Sequence, residues 1–270
     1  MNRTILFSGA FIIFVTGCAA AVNTGAEPAP QEQDEDLSVR GGTLRLTREA
    51  CDIPGTYLEP GKIAGWRDIA RDSYCGEVVL KRAAPGGFVA VFGSSRLKDG
   101  TPEYAIARDF GKLWTASNKG ALPILTGGGP GLMEGANRGA SEAGGPSLGF
   151  STYFKSADDK MNTFVSDGYM FADFELRERA MLRYAQAVVV LPGGVGTAWE
   201  FFMTLSEVQT KKMNKIPIVL MGSAVRDAVM PYLTLMKTKG TISPEDIDLF
   251  LTVDTAQDAV DTLTKTLQHL

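Results

Sequence analysis

Three glycine-bearing segments have residue types and spacing that could do chemistry: Gly93-Ser94-Ser95-Arg96, Thr126-Gly127-Gly128-Gly129-Pro130-Gly131 and Pro192-Gly193-Gly194-Val195-Gly196-Thr197. Glycine lacks a Cβ, so successive backbone N–H groups can close on an anion, and a helix starting at such a turn adds roughly half a positive charge. A lone Gly-rich turn is a weak signal, but two glycine clusters at the ends of consecutive apolar runs describe a phosphate cradle. It is not a Walker loop, because the sequence contains no Gly-Lys-Ser or Gly-Lys-Thr. Other chemistries lack their residues. The single histidine, His269, is next to last, which removes a histidine base, a histidine metal ligand and a Ser-His pair. Cys18, Cys51 and Cys75 have neither CxxC spacing nor histidine companions. Zinc and iron–sulfur sites are therefore not expected, and neither is any cofactor.

The elements that must position these segments follow from the hydropathy pattern. From Phe88 onward, short apolar runs alternate with amphipathic stretches. Strands are predicted at Phe88–Phe92, Ala121–Thr126, Ser147–Phe150, Ala187–Leu191, Ile216–Met221 and Leu249–Val253. Helices are predicted at Pro102–Asn118, Leu132–Ala143, Phe174–Ala185, from Ala198 to about Lys212, Ala224–Lys237 and Thr255–Leu267. Continuously apolar strands alternating with helices imply an α/β fold, a Rossmann-like doubly wound parallel sheet covered on both faces. Ligands bind such sheets at the carboxyl ends of the strands, where the glycine segments fall. Residues 151–173 read as a loop region over one sheet edge. Residues 41–86 read as an N-terminal extension, with a short helix near Trp66–Ser73 and a strand at Glu77–Lys81, and residues 87–270 as the Rossmann-like domain.

The chain has 270 residues, 44% hydrophobic and 21% charged, enough for a sizeable core. A net charge of −4 offers no basic face to a phosphodiester backbone, so nucleic acid is not an expected partner. Much of that charge sits in residues 19–40, an acidic, Ala- and Pro-containing stretch expected to be a flexible tether. Ahead of it, Arg3, the apolar run Ile5–Val15 and Val15-Thr16-Gly17-Cys18 resemble a bacterial lipoprotein signal spanning residues 1–18. That implies lipid on Cys18 and an exported protein anchored to a membrane, facing the periplasm or exterior. An ordinary secretory signal cut near Ala19–Ala21 is the alternative. In an oxidising compartment Cys51 and Cys75 could pair, or they could be two small buried hydrophobes.

Pro192-Gly193-Gly194-Val195-Gly196-Thr197-Ala198-Trp199-Glu200 matches the PGGxGTxxE signature of the LONELY GUY family, long labelled lysine decarboxylases. Phe92–Arg96, Thr126–Gly145 and Phe174–Ala185 are similar to that family's successive segments, and the resemblance covers roughly residues 87–240. It implies cleavage of the N-glycosidic bond of a nucleoside 5'-monophosphate, such as AMP or a cytokinin riboside monophosphate, to free base and ribose 5-phosphate. It also implies a homodimer or larger homo-oligomer, for which Phe201, Phe202, Leu205 and Val208 of the helix after the signature are a candidate face or, equally, ordinary core. The family's active arginine and glutamate correspond to Arg177 and Glu200. Chemistry agrees, because a carboxylate beside the sugar can stabilise an oxocarbenium-like state and activate water.

Each residue also has a structural reading. Glu200 could be a partner of the helix dipole, Arg177 a solvated helix charge, and Thr197 an N-cap as well as a phosphate ligand. Glu134 and Asn137 could lie on a helix surface or contact base and sugar. Two positions depart from the family pattern: Glu178 stands where lysine is usual, and Trp199 replaces an acid and could offer a stacking face or pack against the sheet. Those departures and the export signal motivate an alternative, a non-catalytic nucleotide-binding lipoprotein. A pyridoxal-phosphate decarboxylase is disfavoured, since its Schiff-base lysine would have to be Lys155, Lys160 or Lys211, none in a recognisable motif.

Overall fold

Phe88, Ala90 and Phe92 alternate with Val89 and Val91 along one strand, and all are buried, so this strand must be covered on both faces. The computed structural model describes residues 35–39 and 42–268, with side chains from Leu46 onward. The signal segment, Cys18 and His269 lie outside the described residues. A hairpin of β1 (Glu35–Val39) and β2 (Gly42–Leu46) comes first, so residues 35–39 are a strand where the tether was expected to continue. Next come α1 (Trp66–Ala83), β3 (Phe88–Phe92), α2 (Pro102–Asn118), β4 (Ile124–Thr126) and α3 (Leu132–Glu142). β5 (Ser147–Thr152), β6 (Asp167–Phe171), α4 (Phe174–Arg183), β7 (Ala185–Val190) and α5 (Val195–Gln209) follow. The chain closes with β8 (Ile218–Met221), α6 (Ser223–Thr238), β9 (Leu251–Val253) and α7 (Ala256–Leu267).

Seven strands form a parallel sheet in the order β6-β5-β4-β3-β7-β8-β9. The chain winds outward from β3 in one direction and then returns to build the other half from β7, which makes the β3/β7 boundary the switch point. Alternate strand residues feed two cores. Phe88, Ala90, Phe92, Val188 and Val190 pack with residues of α1, α4, α5 and α6, whereas Val89, Val91, Ala187 and Val189 pack with α2, α3 and α7. α2 and α3 touch backbone to backbone, since a Cβ on Gly111 would collide with the Ala136 carbonyl.

Two sequence expectations are corrected. Residues 66–83 are one helix, because Cys75, Val78 and Val79 share a buried helical face, whereas the Val78-Val79-Leu80 run alone has strand-like composition. The region 151–173 is not all loop: β5 extends to Thr152, and β6 is the sheet edge. α1 is fixed to that edge. Arg82 donates from Nη2 and Nε to the Asp167 carboxylate at 2.6 and 2.9 Å. The buried Asp72 accepts from the Ala172 and Asp173 N–H groups, each at 2.8 Å, and from the Tyr169 hydroxyl at 3.3 Å. Burial pushes its carboxyl up to about 6, against the lowering effect of those hydrogen bonds. Cys51 and Cys75 form a disulfide with Cα atoms 5.1 Å apart, tying α1 to the turn at Arg48–Cys51.

Candidate active site

The three glycine segments follow β3, β4 and β7, adjacent strands at the centre of the sheet, and they bond to one another. The Ser94 N–H donates to the Pro192 carbonyl at 3.1 Å, and the Leu132 N–H donates to the Ser94 carbonyl at 2.8 Å. Two glycines are required by conformation. Gly128 and Gly131 have φ of 68° and 74°, and a Cβ on Gly131 would collide with the Ser94 carbonyl. Gly93 is buried, Ser94 is half-buried and Ser95 is exposed at the mouth.

α5 begins at Val195, earlier than the expected Ala198, so its N-cap is Gly194, and Thr197 lies inside the first turn. Thr197 is therefore not the N-cap. Its buried side chain folds back over Gly193, where a Cβ would meet it. No side chain caps this helix, Val195 is 89% exposed, and Gly193, Gly194 and Gly196 face solvent. The first-turn N–H groups of α5 thus point into the mouth without an intrahelical acceptor, an arrangement suited to an anion. The earlier start also moves Glu200 out of the first turn.

Arg177 on α4 and Glu200 on α5 meet with Nη2 3.8 Å from Oε1, and Arg177 Nη1 lies against the Gly127 turn. Arg177 is not a solvated helix charge, nor is Glu178 an exposed one: both are buried, and Glu178 forms an ion pair with Arg177. Beyond that ion pair, the Glu178 carboxylate accepts no hydrogen bond among the described residues. One guanidinium thus serves two carboxylates in a poorly solvated place. Burial pushes the Glu200 carboxyl up to about 7, opposed by the nearby Arg177 charge. Burial likewise draws Arg177 down to about 10, opposed by Glu200.

Asn137 is fully buried where a substrate contact was weighed. Its Oδ1 accepts from Thr126 Oγ1 at 2.7 Å, and its Nδ2 donates to Ser147 Oγ at 2.8 Å and the Leu148 carbonyl at 3.1 Å. It supports the Gly127–Gly129 turn from below, through Thr126, whose Oγ1 accepts from the Gly128 N–H at 2.9 Å. Glu134 is half-buried and accepts from the Tyr104 hydroxyl at 3.1 Å.

Sequence reading missed Asn162. Its Nδ2 reaches the Gly128 and Gly129 carbonyls at 3.2 and 3.0 Å and Asn137 Oδ1 at 2.9 Å, pinning the 153–166 loop to the glycine turn. A single asparagine in a loop carries no sequence signal for that role. Aromatic rings at the mouth were also missed, apart from Trp199. The Arg177 guanidinium lies 4.7 Å from the Phe174 ring centre and 5.9 Å from that of Phe154. Trp199 stacks on Phe174 at 5.4 Å, so its side chain does not pack into the sheet.

Lys155, Lys160 and Lys211 are all exposed, unlike the desolvated lysine that Schiff-base chemistry needs. Among the described residues no cluster of His, Cys, Asp or Glu could hold a metal ion, and no helix is long and apolar enough to cross a membrane.

Fold and site together define a Rossmann-like protein with an anion-accepting glycine mouth over a buried arginine–carboxylate cluster. Residues 133–263 match the family described as "Possible lysine decarboxylase". The signature from Pro192 to Glu200 falls inside the match. Over 117 residues the chain is 31% identical to the pyrimidine/purine nucleotide 5'-monophosphate nucleosidase of Escherichia coli K12, covering 41% of this chain and 23% of that protein. The chain thus spans about a quarter of the length of the curated relatives it matches. The molybdenum cofactor binding protein of the phototrophic bacterium Rippkaea orientalis aligns with a TM-score of 0.51 at 18% identity, over 67% of this chain and 97% of that one. The molybdenum cofactor carrier protein of Chlamydomonas reinhardtii gives 0.51 at 21%, over 68% and 99%. These two likenesses concern the fold.

Proposed function

We propose that this protein hydrolyses the N-glycosidic bond of a purine nucleoside 5'-monophosphate, of AMP or cytokinin riboside monophosphate type. The reading rests on the buried Arg177–Glu200 contact, which joins the helix with the uncapped start to an arginine packed beside the Gly127 turn. In this reading the 5'-phosphate takes the free N–H groups of Gly193–Thr197, with the Gly93–Ser95 and Gly127–Gly129 turns beside it. Water adds to C1' of the ribose, and the bond to the base nitrogen breaks with its electron pair leaving on the base. The base takes up a proton, giving free base and ribose 5-phosphate. Glu200 in its ionised form receives the proton of the attacking water and faces the positive charge developing on the ring. Arg177 holds ribose or phosphate oxygens and favours the ionised carboxylate.

Chromatographic assay of base release from a panel of nucleoside 5'-monophosphates, run beside Glu200→Ala, tests it. Release by the parent and loss in the variant support the hydrolase; no release by folded parent from any member overturns it. Glu178 favours a second reading, a non-catalytic nucleotide-binding protein, since its ion pair draws on the guanidinium's charge. Binding of AMP without turnover would select it.

Export and lipid attachment at Cys18 are proposed alongside, and fatty-acid labelling lost in Cys18→Ser checks them. Assembly as a homodimer or larger oligomer is likewise proposed. A monomer mass at every concentration in ultracentrifugation overturns it.

A further inference from the structure

Phe154, Phe174 and Trp199 form a continuous aromatic surface at the mouth, and they remain 66%, 39% and 37% exposed. Phe174 is in the middle, edge-on to Phe154 at 6.0 Å and stacked on Trp199 at 5.4 Å with the ring planes 25° apart. They come from three separate places in the chain: the 153–166 loop, the first turn of α4 and α5. The rings contribute to neither hydrophobic core. Phe154 is held in place, because Asp159 Oδ2 accepts from the Phe154 and Lys155 N–H groups, each at 2.8 Å. The surface is continuous with the reacting centre. Trp199 is the chain neighbour of Glu200, and the Arg177 guanidinium packs on Phe174.

We infer that Trp199, with Phe174 and Phe154 beside it, is the platform on which the substrate's base stacks, and that it selects purines over pyrimidines by ring area. This rests on the nucleosidase reading. Chemistry commits the occupant: with phosphate at the start of α5 and C1' at Glu200, the base is bonded to the carbon at Glu200 and must lie close to that carboxylate. A flat, uncharged ring beside this position meets the one flat, uncharged part of a nucleotide. Stacking is tolerant of base edges, so it favours the larger π surface without reading hydrogen-bond patterns.

The test is calorimetry with AMP, UMP and ribose 5-phosphate on the parent, Trp199→Ala, Trp199→Phe and Asp159→Ala, with steady-state kinetics on the two monophosphates. Trp199→Ala is expected to weaken AMP binding about tenfold or more, with the kinetic loss concentrated in KM. UMP affinity falls less, so purine preference narrows. Trp199→Phe restores most of the binding, Asp159→Ala shows a smaller loss through Phe154, and ribose 5-phosphate affinity stays within about twofold throughout. Equal loss for AMP and ribose 5-phosphate would overturn the platform, as would unchanged AMP affinity in Trp199→Ala. A parent oligomer that falls to monomer in Trp199→Ala would also overturn it, assigning the rings to a subunit contact. The binding arm separates the two readings: a parent that stacks AMP on Trp199 but never cleaves it keeps the platform and loses the hydrolase, and a parent that binds no nucleotide loses both.

Discussion

Arg177 on α4 and Glu200 on α5 sit with Nη2 and Oε1 3.8 Å apart in a buried place, and Arg177 is shared with its own neighbour Glu178. Burial makes ionisation of Glu200 unfavourable, and the nearby Arg177 charge only partly offsets it. Its carboxyl is raised to about 7, so the acid that must be ionised to accept a proton becomes so only as pH rises through neutrality. Activity should therefore climb with pH between about 6 and 8. Removing the like charge in Glu178→Gln should move this limb to lower pH, read from kcat/KM against pH. A limb that does not move would show that Glu178 does not act on Glu200.

Glu200→Gln should abolish turnover, by roughly 10²-fold to 10⁴-fold, while leaving the fold intact. A raised carboxyl binds its proton more tightly in the folded state, so its contribution to stability is present at low pH and lost as pH rises through the folded value. Glutamine does not titrate, so the variant's Tm at pH 8 should be no lower than the parent's. Full turnover in this variant would remove Glu200 from the mechanism.

Asn162→Ala removes the side-chain bonds from the 153–166 loop to Gly128 and Gly129, keeps the backbone bond from residue 162 to the Gly128 carbonyl, and opens neither core. We expect kcat/KM to fall about tenfold or more through lost positioning, with Tm changed by only a few degrees. A loss of Tm that accounts for all the lost activity would make Asn162 purely structural.

Asp72 gives a stability signature distinct from that of Glu200. Its carboxyl is raised from 3.8 to about 6, so the folded state holds the proton more tightly and stability falls as pH rises between those values. The two-unit shift corresponds to about 3 kcal/mol. Asp72→Asn should be less stable than the parent near pH 4, where it loses an acceptor at the β6–α4 junction, and the gap should narrow toward pH 7. Denaturant titrations showing a gap independent of pH would contradict this.

The Cys51–Cys75 disulfide closes a short loop, and removing it with paired serine substitutions should cost about 3 kcal/mol through the freed unfolded chain. Thermal melts of parent and variant, with and without reductant, measure this. A reductant effect as large in the variant as in the parent would count against it.

Much of the architecture was legible in residue order. Apolar runs ending in glycine turns determined a parallel sheet with its mouth at three loops, and Pro102–Asn118 was readable to both ends from its first-turn proline and its period. Shorter-range signals misled. Val78-Val79-Leu80 has strand composition but lies in a helix, and Gly196 and Thr197 look like turn residues but begin one, because burial and the mouth of the sheet outweigh weak local preferences. By itself the sequence also supplied the signature holding Glu200 and, by resemblance, paired it with Arg177. Only the tertiary structure decided their environment: that Glu178 is sealed in beside them, that Asn137 faces inward, and that Asn162, Phe154, Phe174 and Trp199 converge from distant segments. Burial and proximity between residues far apart in the chain are properties of the packed sheet, and no local spacing encodes them.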